Sequence, residues 1–197
     1  MNLDLESREE GSYWPAFSDL ALSMLLVLLL FILAQFLHYD KLFIIEEIAR
    51  RQLEVEELVT RSTPGVQIAR VDNYHQRITF GADSLFASCR TELSGRGVEL
   101  VRSVAAVLQE RAEYFAAIEI EGHTDHRRPS YPACPVRDNW QLSSERATVV
   151  LRLFAESELP LERLAGVGRG EHHPLAFDST EEAYSRNRRI EVLLRYS

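Results

Sequence analysis

The sequence has little positive charge. Its 22 lysine and arginine residues are outnumbered by 30 aspartate and glutamate residues, which gives a formal net charge of -8. Nucleic-acid binding depends on clustered basic side chains that displace the counterions of the phosphates. Because the chain is acidic and has no large basic patch, the sequence argues against nucleic acid as a partner.

Cysteine is also scarce, since the chain contains only Cys89 and Cys134. They form neither a CxxC motif nor a zinc-binding spacing. An oxidising compartment would permit one disulfide between them, whereas a reducing compartment would leave two free thiols. The sequence leaves both alternatives open.

The N-terminus lacks the basic region of a cleavable signal peptide, because residues 1–13 carry several acidic side chains and a single arginine. No A-x-A cleavage site follows. The next feature is an apolar run over residues 20–37, which is about the length that a helix needs to cross a hydrocarbon core of roughly 30 Å. We therefore predict a short N-terminus, residues 1–14, and a retained transmembrane helix over residues 15–39.

Residues 40–63 contain no glycine or proline and are rich in good helix formers, so we predict that the helix continues as a linker. Ile48 and Val55 belong to a weak heptad pattern that suits a helix dimer. The same pattern equally fits an amphipathic segment that lies on its own domain. Pro64 ends the helix, and we predict one domain over residues 64–197.

The domain alternates strand-like and helix-like patterns. Apolar residues at every second position predict strands, and apolar residues three or four apart predict helices. Their order predicts an α+β fold in which helices pack on one face of a mixed sheet. Ser143 or Ser144 is the predicted N-cap of the second helix. The predicted strands are residues 66–71, 77–80, 117–121 and 189–195, and the predicted helices are residues 93–111 and 142–157.

Four separated segments carry the motifs of the domain, namely Gly122-His123-Thr124-Asp125, residues 139–147, residues 166–174 and residues 187–191. In order and spacing they resemble the OmpA-like peptidoglycan-binding domain, and the resemblance covers residues 65–197. It implies that peptidoglycan is a partner, and that Asp125 and Arg146 hold the diaminopimelate of the wall peptide.

The chemistry of these residues suits that role. A free amino-acid end carries an ammonium and a carboxylate, which a carboxylate and a guanidinium can bind. We expect Thr124 and Asn139 to add neutral hydrogen bonds and Leu142 to supply an apolar wall. The alternative is that Asp125 and Arg146 form a structural ion pair with each other, or that Asp125 caps a helix.

One segment departs from the family pattern. Residues 126–138 form an insertion that is longer than the loop usual in outer-membrane anchors. We expect this insertion either to cover the pocket or to serve a different ligand. Arg188 and Arg189 are predicted to be structural or phosphate-facing rather than catalytic.

Asp19 lies one residue before the apolar run, where an ionisable side chain is costly unless function uses it. A low-dielectric site favours the neutral carboxyl, so a proton could neutralise Asp19 and its release could restore the charge. Ser23, one helical turn further, is predicted to help coordinate the ion. The alternative is a carboxylate at headgroup level that interacts with the helix dipole.

The apolar helix and the OmpA-like domain together resemble the B subunits of ion-driven stators, a family that includes flagellar MotB and Zorya ZorB. The resemblance rests on residues 13–20 and on Asn139-Trp140-Gln141-Leu142-Ser143. It implies that a translocated proton or sodium ion binds at Asp19, with no other cofactor. It also implies a homodimer of B chains inside a ring of five multi-pass A subunits, MotA-like or ZorA-like.

The resemblance places the protein in the bacterial inner membrane, with a cytoplasmic N-terminus and a periplasmic domain. Lys41, Arg50 and Arg51 follow the apolar run, and by themselves they favour the opposite orientation. We follow the resemblance, because the positive-inside count depends on only these three residues.

The absence of a long linker favours the Zorya type of anti-phage stator over the flagellar type. A flagellar stator and a simple OmpA-type wall anchor are the alternatives. His123-Thr124-Asp125-His126 superficially resembles the metal cluster of some hydrolases. No further acidic ligand motif accompanies it, so we predict neither a metal site nor enzymatic activity.

Overall fold

The computed structural model describes residues 14–129 and 134–197. Helix α1, Trp14–Ser62, begins this part of the chain, so the predicted N-terminus lies almost entirely outside the described residues. The chain divides after Ile44 into two compact units. The second unit, Ile45–Ser197, contains the last part of α1 and the β-sheet.

Helix α1 covers both the predicted transmembrane helix and the predicted helical linker. It runs without interruption because no helix-breaking residue occurs between Ala16 and Ser62, and Pro64 follows its end. Its apolar part is long enough to cross a membrane. The side chains of residues 14–37 are exposed, as expected for a surface that lipid would cover.

The end of α1 packs on the domain that follows it. Ile48, Val55 and Val59 are buried in the same core as the sheet. The buried Gln76 side chain donates a hydrogen bond of 3.0 Å to the backbone carbonyl of Gln52. Of the two alternatives for this segment, the structure therefore supports the amphipathic helix that lies on its own domain.

Within the described residues, the strands form one mixed sheet in the order β1-β2-β5-β3-β4. Strands β3 and β4 are parallel, and the other neighbouring pairs are antiparallel. The first hairpin and the closing strand agree with the sequence prediction. The strands are β1 Gln67–Arg70, β2 His75–Gly81, β3 Phe115–His123, β4 Leu164–Gly170 and β5 Arg189–Tyr196.

The helices of the domain cover the apolar face of the sheet. In the third helix, Val101, Val104 and Leu108 are fully buried, as its sequence pattern predicts. Ser94 caps this helix, because its hydroxyl accepts a hydrogen bond of 3.0 Å from the Gly97 amide. The predicted α+β fold is confirmed. The helices are α2 Ala82–Leu85, α3 Gly95–Gln109, α4 Asn139–Ala155 and α5 Glu181–Asn187.

The prediction for helix α4 needs correction, and three short elements lie outside the sequence prediction. Helix α4 begins at Asn139 rather than near Leu142, and its N-cap is Asp138, whose carboxylate accepts a hydrogen bond of 2.8 Å from the Gln141 amide. Ser143 and Ser144 are therefore not the cap. Strand β4 was not predicted, because its glycines interrupt the apolar alternation. The short helices α2 and α5 were also not predicted.

Glycines bring the sheet close to the start of α4. A side chain at Gly122 in β3 would collide with the backbone of Ser143, and one at Gly168 in β4 would collide with Ser144. Only glycine permits this distance between strand and helix. The close approach places the first turn of α4 beside the end of β3.

Candidate ligand-binding pocket

A cavity of about 610 Å³ lies where the end of β3, the start of α4 and the start of β5 meet. Its wall contains all five residues that the sequence assigned to peptidoglycan binding. The structure therefore brings together residues from two separate motifs. The lining residues are Asp83, Phe86, Ala87, Ser88, Cys89, Thr124, Asp125, Arg127, Arg128, Pro129, Cys134, Asn139, Leu142, Arg146, Glu181 and Arg188.

Asp125 forms ion pairs with two arginines other than Arg146. Its Oδ2 atom lies 2.7 Å from Arg127 Nη2 and 2.8 Å from Arg188 Nη1. Burial alone would raise the pKa of the Asp125 carboxyl, but hydrogen bonds from the two arginines outweigh burial and lower it below the ordinary value. Asp125 is therefore a carboxylate at neutral pH. The alternative of a direct Asp125–Arg146 ion pair is not what the structure shows.

Arg146 is a buried cation. Its guanidinium donates to the backbone carbonyl of Arg90 at 2.9 Å and lies 4.8 Å from the centre of the Phe86 ring. Burial lowers the pKa of Arg146 to about 10, which still leaves it charged at neutral pH. Among the described residues, no carboxylate lies within ion-pair distance of it. An anion in the cavity would supply the missing partner.

The three neutral candidates have different roles in the structure. The Asn139 amide donates to the backbone carbonyls of Asp125 at 3.1 Å and Arg127 at 3.2 Å, so it holds the loop after β3. The Thr124 hydroxyl is buried and has no hydrogen-bond partner among the described residues, which leaves it available to a ligand. Leu142 lines the cavity, and its contribution to ligand binding stays a prediction.

A disulfide joins Cys89 and Cys134, whose Cα atoms are 4.9 Å apart. This decides between the two alternatives that the sequence left open. Cys134 belongs to the insertion of residues 126–138, so the insertion is fastened beside the cavity and forms part of its wall. Residues 130–133 of the insertion lie outside the described residues.

Arg188 is a pocket residue that the sequence reasoning did not assign to ligand binding. Besides Asp125, its guanidinium contacts Asp83, with Nη2 and Oδ2 2.7 Å apart. The neighbouring Arg189 bonds to Glu191, with Nε and Oε1 2.7 Å apart. Neighbouring residues at the start of a strand have side chains on opposite faces of the sheet. This period of two is the sequence signal that could have predicted different roles for Arg188 and Arg189.

The residues of the weak metal motif do not converge. His123 packs beside Glu121 and Glu191, with its Nε2 atom 3.3 Å and 3.7 Å from their carboxylate oxygens. Asp125 faces the cavity instead. Arg169 pairs with Glu121, and the nearby His123 ring together with the hydrogen bonds from Arg169 lowers the pKa of the Glu121 carboxyl.

The donors of Glu121, His123 and Glu191 lie within 4.8 Å of one another. Each of the two carboxylates already has an arginine partner, Arg169 for Glu121 and Arg189 for Glu191. This compensation reduces the electrostatic attraction for a cation. The group is therefore built as a network of ion pairs.

Asp19 and Ser23 both lie in the apolar part of α1. The Ser23 hydroxyl donates a hydrogen bond of 2.6 Å to the backbone carbonyl of Asp19. This bond to the preceding turn is common for serine in helices. The serine oxygen keeps its lone pairs for an ion, and the predicted roles of both residues stay predictions.

The sequence comparison identifies the family of this domain. The chain belongs to the OmpA family, whose model matches residues 85–188. The chain is 37% identical to Motility protein B of Bacillus subtilis over 78 residues, which cover 39% of this chain and 29% of that protein. It spans less than half the length of the first curated relatives that it matches.

Solved structures show the same fold. A MotB-like protein from Desulfovibrio vulgaris superposes with a TM-score of 0.71 and 27% identity, covering 78% of this chain and 97% of the other. The cell wall anchor of the T6SS from Pseudomonas aeruginosa superposes with a TM-score of 0.60 and 25% identity, covering 75% and 96% of the two chains.

Proposed function

We propose that this chain is a single-pass B subunit of an ion-driven rotary motor, and that its domain anchors the motor to peptidoglycan. Helix α1 supplies a segment long and apolar enough for a membrane, and the OmpA-family domain supplies the wall-binding module. The similarity to Motility protein B and to a cell wall anchor supports this combination. In this proposal the protein binds and anchors, and it catalyses no covalent reaction.

The environment of the Arg146 side chain is the main observation in favour of wall binding. A buried guanidinium without a carboxylate partner among the described residues favours a ligand carboxylate in the cavity. The unpartnered Thr124 hydroxyl lies in the same wall and can donate to that carboxylate. The free carboxylate of a wall-peptide diamino acid has the required charge and is small enough for a cavity of about 610 Å³.

Co-sedimentation of the detergent-solubilised full chain with purified peptidoglycan sacculi tests this role. Arg146→Ala should reduce the bound fraction at least about tenfold, because a charged hydrogen-bonding partner of the ligand is lost. Arg152→Ala is the matched control, since Arg152 lies on the same helix α4 and is exposed. Equal binding by wild type and Arg146→Ala would refute the assigned role of the pocket.

We assign Asp19 as the carboxylate that carries the translocated proton or sodium ion, with Ser23 as a second oxygen ligand. Both side chains project from the apolar part of α1, where a partner subunit would have to enclose them. Asp19→Asn should abolish the cellular activity of the motor while leaving protein level and sacculus binding intact. Ser18→Ala, next to Asp19, is the control and should retain activity.

The proposed assembly is a dimer of this chain inside a ring of multi-pass A subunits, with the N-terminus in the cytoplasm and the domain in the periplasm. A simple wall anchor needs no ionisable residue in α1, so full activity of Asp19→Asn would favour that alternative. A reporter fused after Ser197 that is active only in the cytoplasm would overturn the orientation.

We favour phage defence of the Zorya type over flagellar motility as the process that the motor drives. The end of α1 packs directly on the domain, so the connection to the membrane segment is short. Deletion of the gene in its own host should increase plaque formation and leave swimming unchanged. Loss of swimming with unchanged plaque counts would assign the protein to motility.

A further inference from the structure

Among the described residues, the Asp125 carboxylate already accepts four hydrogen bonds, and Arg127 donates three of them. Its Oδ2 atom accepts from Arg127 Nη2 at 2.7 Å, from Arg127 Nε at 3.2 Å and from Arg188 Nη1 at 2.8 Å. Its Oδ1 atom accepts from the backbone amide of Arg127 at 2.9 Å. Each carboxylate oxygen has two lone pairs, so these donors fully occupy Oδ2, whereas Oδ1 keeps one acceptor site.

An ammonium can therefore bind Oδ2 of Asp125 only by displacing one of these donors, and the two arginines differ in how firmly they are held. Arg188 is fastened by Asp83 through two hydrogen bonds of 3.1 Å and 2.7 Å, and its side chain is only 19% exposed. The Arg127 side chain is 47% exposed. Arg127 is therefore the donor that can leave.

Arg127 also has contacts other than those to Asp125. Its Nη1 atom already contacts Glu181 at 2.9 Å, and its guanidinium lies 4.2 Å from the centre of the Tyr184 ring. Both partners belong to helix α5 and would retain the cation when it leaves Asp125. Displacement of Arg127 would break its hydrogen bonds to Asp125, but Glu181 and Tyr184 would still hold its guanidinium.

We propose that Arg127 determines the specificity of the pocket by competing with the ammonium of the ligand for Asp125. This inference rests on the proposed binding of a wall peptide. With Arg127 in place, the pocket recognises the ligand carboxylate through Arg146 and gains little from a free amine. The residue comes from the insertion of residues 126–138, so this insertion changes which end of the ligand is recognised.

Calorimetry with two synthetic stem peptides tests the proposal on the full chain in detergent. One peptide carries a diaminopimelate with a free zwitterionic end, and the other is acetylated on that amine. Arg127→Ala should bind the free-amine peptide about tenfold more tightly than wild type does, and the acetylated peptide with unchanged affinity. Arg127→Gln, which keeps the side-chain bulk, should give the same pattern.

Arg137→Ala is the matched control, because Arg137 belongs to the same insertion, is exposed and does not line the cavity. It should bind both peptides as wild type does. An unchanged or weaker affinity of Arg127→Ala for the free-amine peptide would overturn the inference while leaving wall binding in place. An equal gain for both peptides would also overturn it. Failure of all proteins to bind either peptide would overturn the proposed function and this inference together.

Discussion

Arg188 donates from Nη1 to Oδ2 of Asp125 at 2.8 Å, and this contact joins the end of β3 to the start of β5 beside the cavity. The two residues are 63 positions apart in the chain. The same guanidinium reaches Asp83 in α2. A single arginine thus connects three parts of the domain, and the charge of Asp125 serves the fold as well as the pocket.

The Asp125 ion pairs predict a pH-dependent contribution to stability. Because the folded-state pKa is lowered, the contribution is present above the ordinary aspartate pKa of about 3.9 and is lost as the pH falls through the folded-state value. Asp125→Asn should cost about 1–3 kcal/mol at pH 7. The difference from wild type should shrink below about pH 4.

Denaturation of the full chain in detergent between pH 3 and pH 7 measures this difference. Asp178→Asn, which replaces an exposed aspartate, controls for the loss of one negative charge. A stability difference between wild type and Asp125→Asn that is the same at every pH would show that the carboxylate charge is not responsible.

The Cys89–Cys134 disulfide should stabilise the domain. The cross-link spans 45 positions and restricts the unfolded chain, so replacing both cysteines by serine should cost about 2–4 kcal/mol. Thermal unfolding with and without a reducing agent gives the measurement. The reducing agent should lower the melting temperature of wild type and should leave the doubly substituted chain unchanged. An equal response of both proteins would contradict the prediction.

The close approach of β3 to α4 should tolerate no side chain at Gly122. A methyl group there meets the backbone of Ser143, which cannot move away independently of its helix. Gly122→Ala should therefore destabilise the domain by about 1–3 kcal/mol. Gly81→Ala is the control, because no atom of the described residues other than its chain neighbours lies within 4 Å of its would-be Cβ. Comparable unfolding curves for both variants would argue against the tight strand–helix contact.

The packing of the end of α1 is tested by two substitutions on one helix. Ile48 is 2% exposed in the core, whereas Leu53 is 68% exposed. Ile48→Ala should lower the free energy of unfolding by about 2–5 kcal/mol, and Leu53→Ala by much less. Chemical denaturation in detergent distinguishes them. If Leu53→Ala were the more damaging substitution, the exposed side of this segment would be its structural contact.

Sequence patterns predicted the elements that have a simple period. The alternation in residues 117–121 identified β3, and the spacing of Val101, Val104 and Leu108 identified α3. Strand β4 was not predicted, because glycines occupy positions where apolar residues would show the period of a strand. These glycines permit the close contact with α4. The cap of α4 was missed because Asp138 and Ser143 are both good N-cap residues, and sequence alone does not choose between them.

The sequence analysis named residues that line one cavity, but it did not predict the contacts that they make. Thr124, Asp125 and Arg146 all line the cavity, yet Asp125 pairs with Arg127 and Arg188. Composition and motif reveal which side chains are present in a region. The choice among several arginines for one carboxylate depends on distances of a few ångströms, which only the packing of β3, α5 and β5 sets.

The sequence by itself determined the long apolar helix, the α+β order of elements and the motifs of the OmpA family, because each depends on residues that are neighbours or near-neighbours in the chain. The tertiary structure decided the pairing of Cys89 with Cys134, the packing of the end of α1 on its own domain and the pairing of Asp125 with Arg127 and Arg188. These features join distant parts of the chain, and their energies change steeply with distance and burial.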